Sequence, residues 1–391
     1  MPKFMDLVLS NLRKDRPLVP ESLGYTIRID QKVSNVLRES KHVTIYFRTN
    51  GCRFSRFACT MCDYWISNDV SAHQMIAAVQ SALEKIDFIP DEILINVSGS
   101  FYDEHEVPQE ARKGILRLLS QLNGTRLIFE SHSHDITEEK LDETRKILGD
   151  RVISVEMGLE SADLWVLRHC INKVLDIRRF AKAVKMLHDC NINSVANIIV
   201  GTPFLSQNET IIDPTTSTNW AFNNGVNKCV LFPINTKPWT LVYWLEQRGL
   251  YNHPPLWALV DVLAQLDPNV LSRVGIAWHR TRPQLHPKYN VENKGPTTCP
   301  SCYDKVLNLF DEYIISTNRR EIVRQLLDVK CTCKSNWYNK VENSSTTSLA
   351  ERVKTQYEII GKEILGESWW SVNCQKVLDV IEDHNLLARA E

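Results

Sequence analysis

The chain has 391 residues, 43% of them hydrophobic, and a formal net charge of −1. That is enough apolar material for a large core and a smaller second one, and it excludes a global basic field that would draw the protein onto nucleic acid or anionic membrane. No stretch reaches the ~18–20 apolar residues of a membrane span, and Met1 to Pro20 lack the apolar run of a signal peptide, so a soluble cytoplasmic protein with no membrane partner is expected.

Residues 1–41, with Lys3, Arg13, Lys14 and Arg16, read as a helical lead-in. From His42 the chain alternates β-rich runs with amphipathic stretches. Strands are expected at 42–49, 92–98, 126–131, 152–158, 194–200 and 228–234, and helices near 72–87, 108–122, 137–148, 176–190 and 209–224. Ser71 and Thr137 are placed as N-caps. Strand–helix alternation implies βαβ units on a parallel sheet. Six units are too few for a closed eight-fold barrel, so the fold class is α/β with a partial (β/α)6 barrel over 42–257. Residues 258–345 carry four cysteines on a helical module, and 346–391 read as two tail helices that include Trp369 and Trp370. The strand ends collect the polar and glycine residues, namely Asn50-Gly51-Cys52, Ser98-Gly99-Ser100, Glu130-Ser131-His132, Gly158 to Ser161, Gly201-Thr202-Pro203 and Asn235, and such barrels bind ligands there.

Seven of the eleven cysteines fall in two groups. Cys52, Cys59 and Cys62, spaced C-x6-C-x2-C after the first barrel strand, offer three thiolates on one loop. That suits a [4Fe–4S] cluster with one iron left open, whereas a structural zinc ion wants a fourth ligand. The pairs Cys299/Cys302 and Cys331/Cys333 can converge on one ion. Structural zinc is favoured there, with an auxiliary Fe–S cluster as the alternative. Cys170, Cys190, Cys229 and Cys374 are scattered among apolar residues as small hydrophobes.

The widened loop ending Cys-Thr-Met-Cys, with an aromatic residue two positions on, resembles the radical S-adenosylmethionine (SAM) superfamily. Ser98-Gly99-Ser100-Phe101 stands where that superfamily has Gly-Gly-Glu, which binds the SAM amino group. Glu130 and Glu160 resemble cofactor- or substrate-facing positions, and Asn197 to Gly201 resembles the strand that lies against the adenine. Together with Gly-Leu-Glu-Ser-Ala, Ile171-Asn172-Lys173 and Leu256-Trp257, these motifs are similar to the radical SAM subunit of archaeosine synthase and its bacterial relatives, over about residues 25–340. The resemblance implies a transferase or lyase that cleaves SAM reductively. Its substrate would be a modified tRNA base or a biosynthetic small molecule, with flavodoxin or ferredoxin as electron donor and a second protein binding tRNA. Two other readings stand beside it: transfer of a 3-amino-3-carboxypropyl group from SAM to a heteroatom or metalloid, and a non-catalytic zinc-binding nucleic-acid or scaffold protein. Catalytic roles are open for Glu160 and His132; His132 and His134 either reach the cavity or are solvated loop residues. Trp278 to Arg282 could grip a base or an anion, or merely link to the metal module.

Overall fold

The computed structural model describes residues 3–16, 24–33, 39–64, 69–281 and 294–382. Eight strands form one open sheet in chain order: β1 Tyr25–Val33, β2 Glu39–Phe47, β3 Glu92–Asn96, β4 Arg126–Ser131, β5 Ile153–Glu160, β6 Asn193–Val200, β7 Lys228–Pro233 and β8 Val274–Ile276. β1 pairs antiparallel with β2, and every later pairing is parallel, so the sheet curls as a half-barrel with the expected six strand–helix units from β2 to β7.

The helices are α1 Phe4–Leu12, α2 Ala72–Glu84, α3 Gln109–Ser120, α4 Glu138–Leu148, the single turn α5 Leu164–Val166 continuing into π-helical Leu167–Ile171, α6 Ile177–Asp189, α7 Glu209–Asn223, α8 Leu241–Glu246 and α9 Leu256–Gln265, then α10 Tyr303–Ile315, α11 Arg319–Asp328, α12 Thr332–Glu342, α13 Leu349–Ile360 and α14 Glu367–Glu382. Ser71 closes a capping box with Gln74, and the Thr137 hydroxyl accepts from the Lys140 N–H, as their residue types imply.

Alternation sets the two faces of the sheet. Val43, Ile45, Ile93, Ile95, Leu127, Phe129, Val155 and Met157 are fully buried and pack with Met75, Val79, Ile115, Leu119, Phe180 and Val184 of the outer helices. Each such side chain contributes about 1.5–3 kcal/mol by leaving water. The residues between them, Tyr46, Asn96, Glu130, Glu156, Glu160 and Asn197, are only partly buried and lie on the opposite, concave face. A strand so patterned keeps grease outside and polarity inside the curl.

Two strands were not expected. β1 falls within the presumed helical lead-in, yet Tyr25, Ile27, Ile29 and Val33 alternate with Thr26, Arg28, Asp30 and Lys32 at the strand period, interrupted only at Gln31. β8 has three residues, too few to leave a periodic signal. The tail helices do not sit on the barrel alone. They share a second core with α1, where Phe4 packs on Tyr357 at 4.8 Å and on Trp369 at 5.9 Å. Most of the His-, Arg- and Pro-rich stretch before the four-cysteine module, residues 282–293 including Arg282, lies outside the described residues.

Candidate active site and metal centres

The loop after β2 carries Cys52, Cys59 and Cys62, each partly buried. Its shape is imposed from elsewhere in the chain. Arg13, just past α1 and 4% exposed, donates from Nη1 to the carbonyls of Ser55 (2.8 Å) and Ala58 (2.7 Å) and from Nη2 to those of Cys59 (2.7 Å) and Cys62 (2.8 Å). Asn172 donates to the Phe57 carbonyl and to Asp6 of α1, both at 2.9 Å, while its own carbonyl accepts from the Cys59 N–H at 3.0 Å. Thr60 donates to the Ile171 and Cys170 carbonyls at 2.8 and 2.9 Å and accepts from the Leu241 N–H at 2.9 Å. Cys59, Asn172 and Glu160 all hold left-handed backbone, with φ of 59°, 55° and 67°, a strain that persists only where surroundings fix it.

Burial pushes all three thiols up, Cys59 to about 12. They become thiolates only if a cation or cluster compensates, which is the chemistry of a metal-binding trio. Gly99 lies tight against Cys52: a methyl group there would stand 2.8 Å from its Cβ and 2.9 Å from its Sγ.

Ser98, Gly99 and Ser100 end β3 in a turn whose donors are engaged. The Gly99 and Ser100 N–H groups bond Glu106 at 3.0 and 2.7 Å, and Thr49 donates to the same carboxyl at 2.9 Å. Burial raises Glu106 to about 7 against these bonds. The Ser98 hydroxyl pairs with Tyr46 at 3.2 Å, and that of Ser100 pairs with Ser131 at 2.8 Å. On the concave face Glu130 stands in register with Glu156 and accepts from Asn96 at 3.0 Å; burial, then Glu156, pushes its carboxyl well up. Glu160 follows a β-bulge and pairs with Lys173 at 2.8 Å. Burial opposes the Lys173 ammonium, but Glu160 and Cys59 outweigh it, so its pKa rises. A methyl group on Gly158 would stand 2.3 Å from the Glu160 carboxyl and 2.6 Å from Lys173 Nζ, so that pair needs the glycine. Asn197 Oδ1, Thr202 Oγ1 and Asn235 Oδ1 are buried with no hydrogen-bond partner among the described residues. Gly201, with φ 99°, accepts from the Tyr251 hydroxyl at 2.8 Å. Lys237 pairs with Asp63 at 2.7 Å and lies 4.2 Å from the Trp278 ring centre.

Among the described residues, two groups bring all their ligand atoms within 4.8 Å of one another: the four C-terminal cysteines, and His132 with His134 and Asp135. Cys52, Cys59 and Cys62 do not form a third, a spacing that suits thiolates on separate irons better than on one ion. In the C-terminal group Cys299 lies 3.7 Å from Cys302 and 3.3 Å from Cys331, and Cys333 lies 3.5 Å from Cys302 and 3.4 Å from Cys331, sulfur to sulfur. Tetrahedral zinc with Zn–S near 2.3 Å sets sulfurs about 3.8 Å apart. Trp257 Nε1 donates to the Cys333 sulfur at 3.2 Å. Of the scattered cysteines, Cys170 and Cys229 are buried, while Cys190 and Cys374 are partly exposed.

The patterns that singled out the cysteines, the strand-end residues (Thr202 and Asn235 among them) and the Ser98 turn had no hold on Arg13 or Glu106. Asn172 and Lys173, in view only as part of the Ile171-Asn172-Lys173 motif, serve the site's framework.

No protein-family model matches the chain. The chain is 27% identical over 315 residues to archaeosine synthase subunit beta of Methanosarcina acetivorans, spanning 78% of this chain and 86% of the relative. It is 27% identical over 310 residues to the protein of the same name in Thermococcus kodakarensis, spanning 76% and 91%. An uncharacterized protein of Methanocaldococcus jannaschii is 26% identical over 329 residues, spanning 80% and 86%. The resemblance read from the cysteine loop and strand ends is borne out by homologues of that name. Among solved structures, the radical SAM methyltransferase TsrM of Kitasatospora setae aligns with TM-score 0.44 and 13% identity over 73% of this chain, which spans 61% of the TsrM chain. Methylornithine synthase aligns with TM-score 0.43 and 11% identity, over 76% and 85%. No helix among the described residues is long and apolar enough to cross a membrane.

Proposed function

We propose that the protein is a radical SAM enzyme that cleaves SAM reductively and turns the resulting radical on a modified tRNA base or a related small molecule. The observation that carries this is the three-thiol loop after β2, clamped by Arg13 and spaced for a cluster, beside a polar concave face. Cys52, Cys59 and Cys62 would hold a [4Fe–4S] cluster, which would supply the one electron that splits a carbon–sulfur bond of SAM into a carbon radical and a neutral thioether.

The chain's own residues do the rest. Arg13 and Asn172 hold Cys52, Cys59 and Cys62 in one arrangement. Ser98, Gly99 and Ser100, fixed by Glu106, form the wall nearest Cys52 and line the cofactor site with Glu130, Asn197 and Gly201. The unpartnered oxygens of Asn197, Thr202 and Asn235 accept from amino and hydroxyl donors of SAM or substrate. Glu160, held by Lys173, faces the same space as a catalytic carboxylate. Zinc in the four-cysteine group ties α10 to α12, and its sulfur spacing favours one ion over an auxiliary cluster. The name shared by two relatives, a synthase subunit beta, supports a partner subunit; the family resemblance further implies a tRNA base as substrate, tRNA binding by that partner and flavodoxin or ferredoxin as donor, in the cytoplasm. A second reading, transfer of a 3-amino-3-carboxypropyl group, is favoured by the Ser98–Ser100 turn, whose N–H groups are already given to Glu106.

Anaerobic reconstitution followed by reduction with SAM tests this. The protein should turn brown, bind about four irons at the first site, and yield 5′-deoxyadenosine; methylthioadenosine would select the second reading. Cys59→Ala should abolish both iron binding and cleavage. Colourless protein holding only zinc, or full turnover by Cys59→Ala, would refute the proposal and leave the zinc scaffold.

A further inference from the structure

The turn after β4 gathers His132, His134 and Asp135, with their ligand atoms all within 4.8 Å. His132 Nδ1 lies 3.5 Å from Asp135 Oδ2, and His134 Nε2 lies 3.6 Å from Asp135 Oδ1. Both nitrogens and Asp135 Oδ2 are buried, and none of the three makes a hydrogen bond. Those separations, one to each carboxylate oxygen, are too long for good hydrogen bonds, and one ligand atom from each residue within 4.8 Å of the others leaves room for an ion bonded at about 2.0–2.2 Å.

The turn is rigid. Lys140 Nζ donates to the Asp135 and Tyr102 carbonyls at 3.2 and 2.7 Å, Arg179 donates to the His134 carbonyl at 2.7 Å, and Phe54 packs on both imidazoles at 5.5 and 5.4 Å. Arg53, from the cysteine loop, holds Asp135 Oδ1 at 2.5 Å and reaches Asp103 at 3.3 Å. It holds the carboxylate through Oδ1 and leaves Oδ2 without a partner, as an outer-shell partner of a metal ligand does.

We propose that His132, His134 and Asp135 bind a divalent transition-metal ion, separate from the two cysteine sites, with open coordination positions for water or for a carboxylate or heteroatom of the substrate. Two imidazoles and one carboxylate select zinc or iron(II) over calcium or magnesium, and three protein ligands leave the ion open to exchange. The site does not depend on the SAM reading, because an ion count and SAM cleavage are measured separately.

The test is zinc(II) alone, dialysed anaerobically into full-length protein with its first cluster reconstituted, and metals counted per chain by mass spectrometry. Wild type should hold two zinc ions, and His132→Ala/His134→Ala should hold one, with iron unchanged. The ion retained by the four cysteines reports that the double variant is folded. Should that variant fail to fold, His134→Gln, which alters one partly exposed ring, decides the matter by competition with a chelator, with zinc affinity expected to fall roughly tenfold or more. Equal zinc content in wild type and the double variant, or unchanged affinity in His134→Gln, overturns the proposal.

Discussion

Arg13→Ala is the sharpest probe of how the cysteine loop is held. The guanidinium reaches four loop carbonyls and, at 3.3 Å, the Trp239 carbonyl as well. With about 1 kcal/mol net for each loop hydrogen bond, the ordered loop loses on the order of 4 kcal/mol, close to a thousand-fold in population. The loss falls on the loop, because all four carbonyls belong to it. The expected result is therefore specific: far-UV circular dichroism and the main thermal transition stay near wild type while iron retained after reconstitution and desalting falls at least tenfold. Arg13→Lys, which keeps the charge but not the fork, should fall between. An Arg13→Ala protein that retains iron like wild type would show that the thiolates shape the loop without this clamp.

Gly99→Ala should push Cys52 aside, because the added methyl would meet its Cβ at 2.8 Å; iron retention should drop severalfold, and unchanged retention would contradict the close packing. Cys331→Ala should lose the four-cysteine zinc and lower the melting temperature of the C-terminal module, while retained zinc would break the four-ligand assignment. Asp213, buried and bonded to the Ser161 hydroxyl at 2.6 Å, is raised by burial to about 7. A group raised in the folded state adds stability at low pH that fades as pH rises from its unfolded value near 3.8 through 7. Wild type should accordingly lose ground to Asp213→Asn in melting temperature between pH 4 and pH 8, and a constant difference across that range would refute the burial argument.

The barrel was legible because its strands are runs of β-branched residues ending in Gly, Ser or Asn, and because Ser71 and Thr137 mark helix starts. Both cysteine groups were legible from spacing alone. Arg13 was not: a side chain that bonds backbone carbonyls more than forty residues away leaves no periodicity and demands no particular partner residue type. Glu106 lies in the acidic stretch Asp103-Glu-His-Glu, which looks like solvated loop until folding carries one carboxylate under Gly99. His132 and His134 were visible as residues, but their convergence with Asp135 depends on a 3-10 turn at Ser133–Asp135 that composition does not announce.

The apolar side of α1, with Met5, Val8 and Leu9, is covered by α13 and α14, and the far end of that helix leads into the arginine that grips the cysteines. A ribosome makes α1 early and its cover late. Without that late cover the grip would lack its backing. Shortening the tail should therefore loosen the hold on the three thiols and lower iron retention in a reconstitution assay, although α13 and α14 supply none of those thiols.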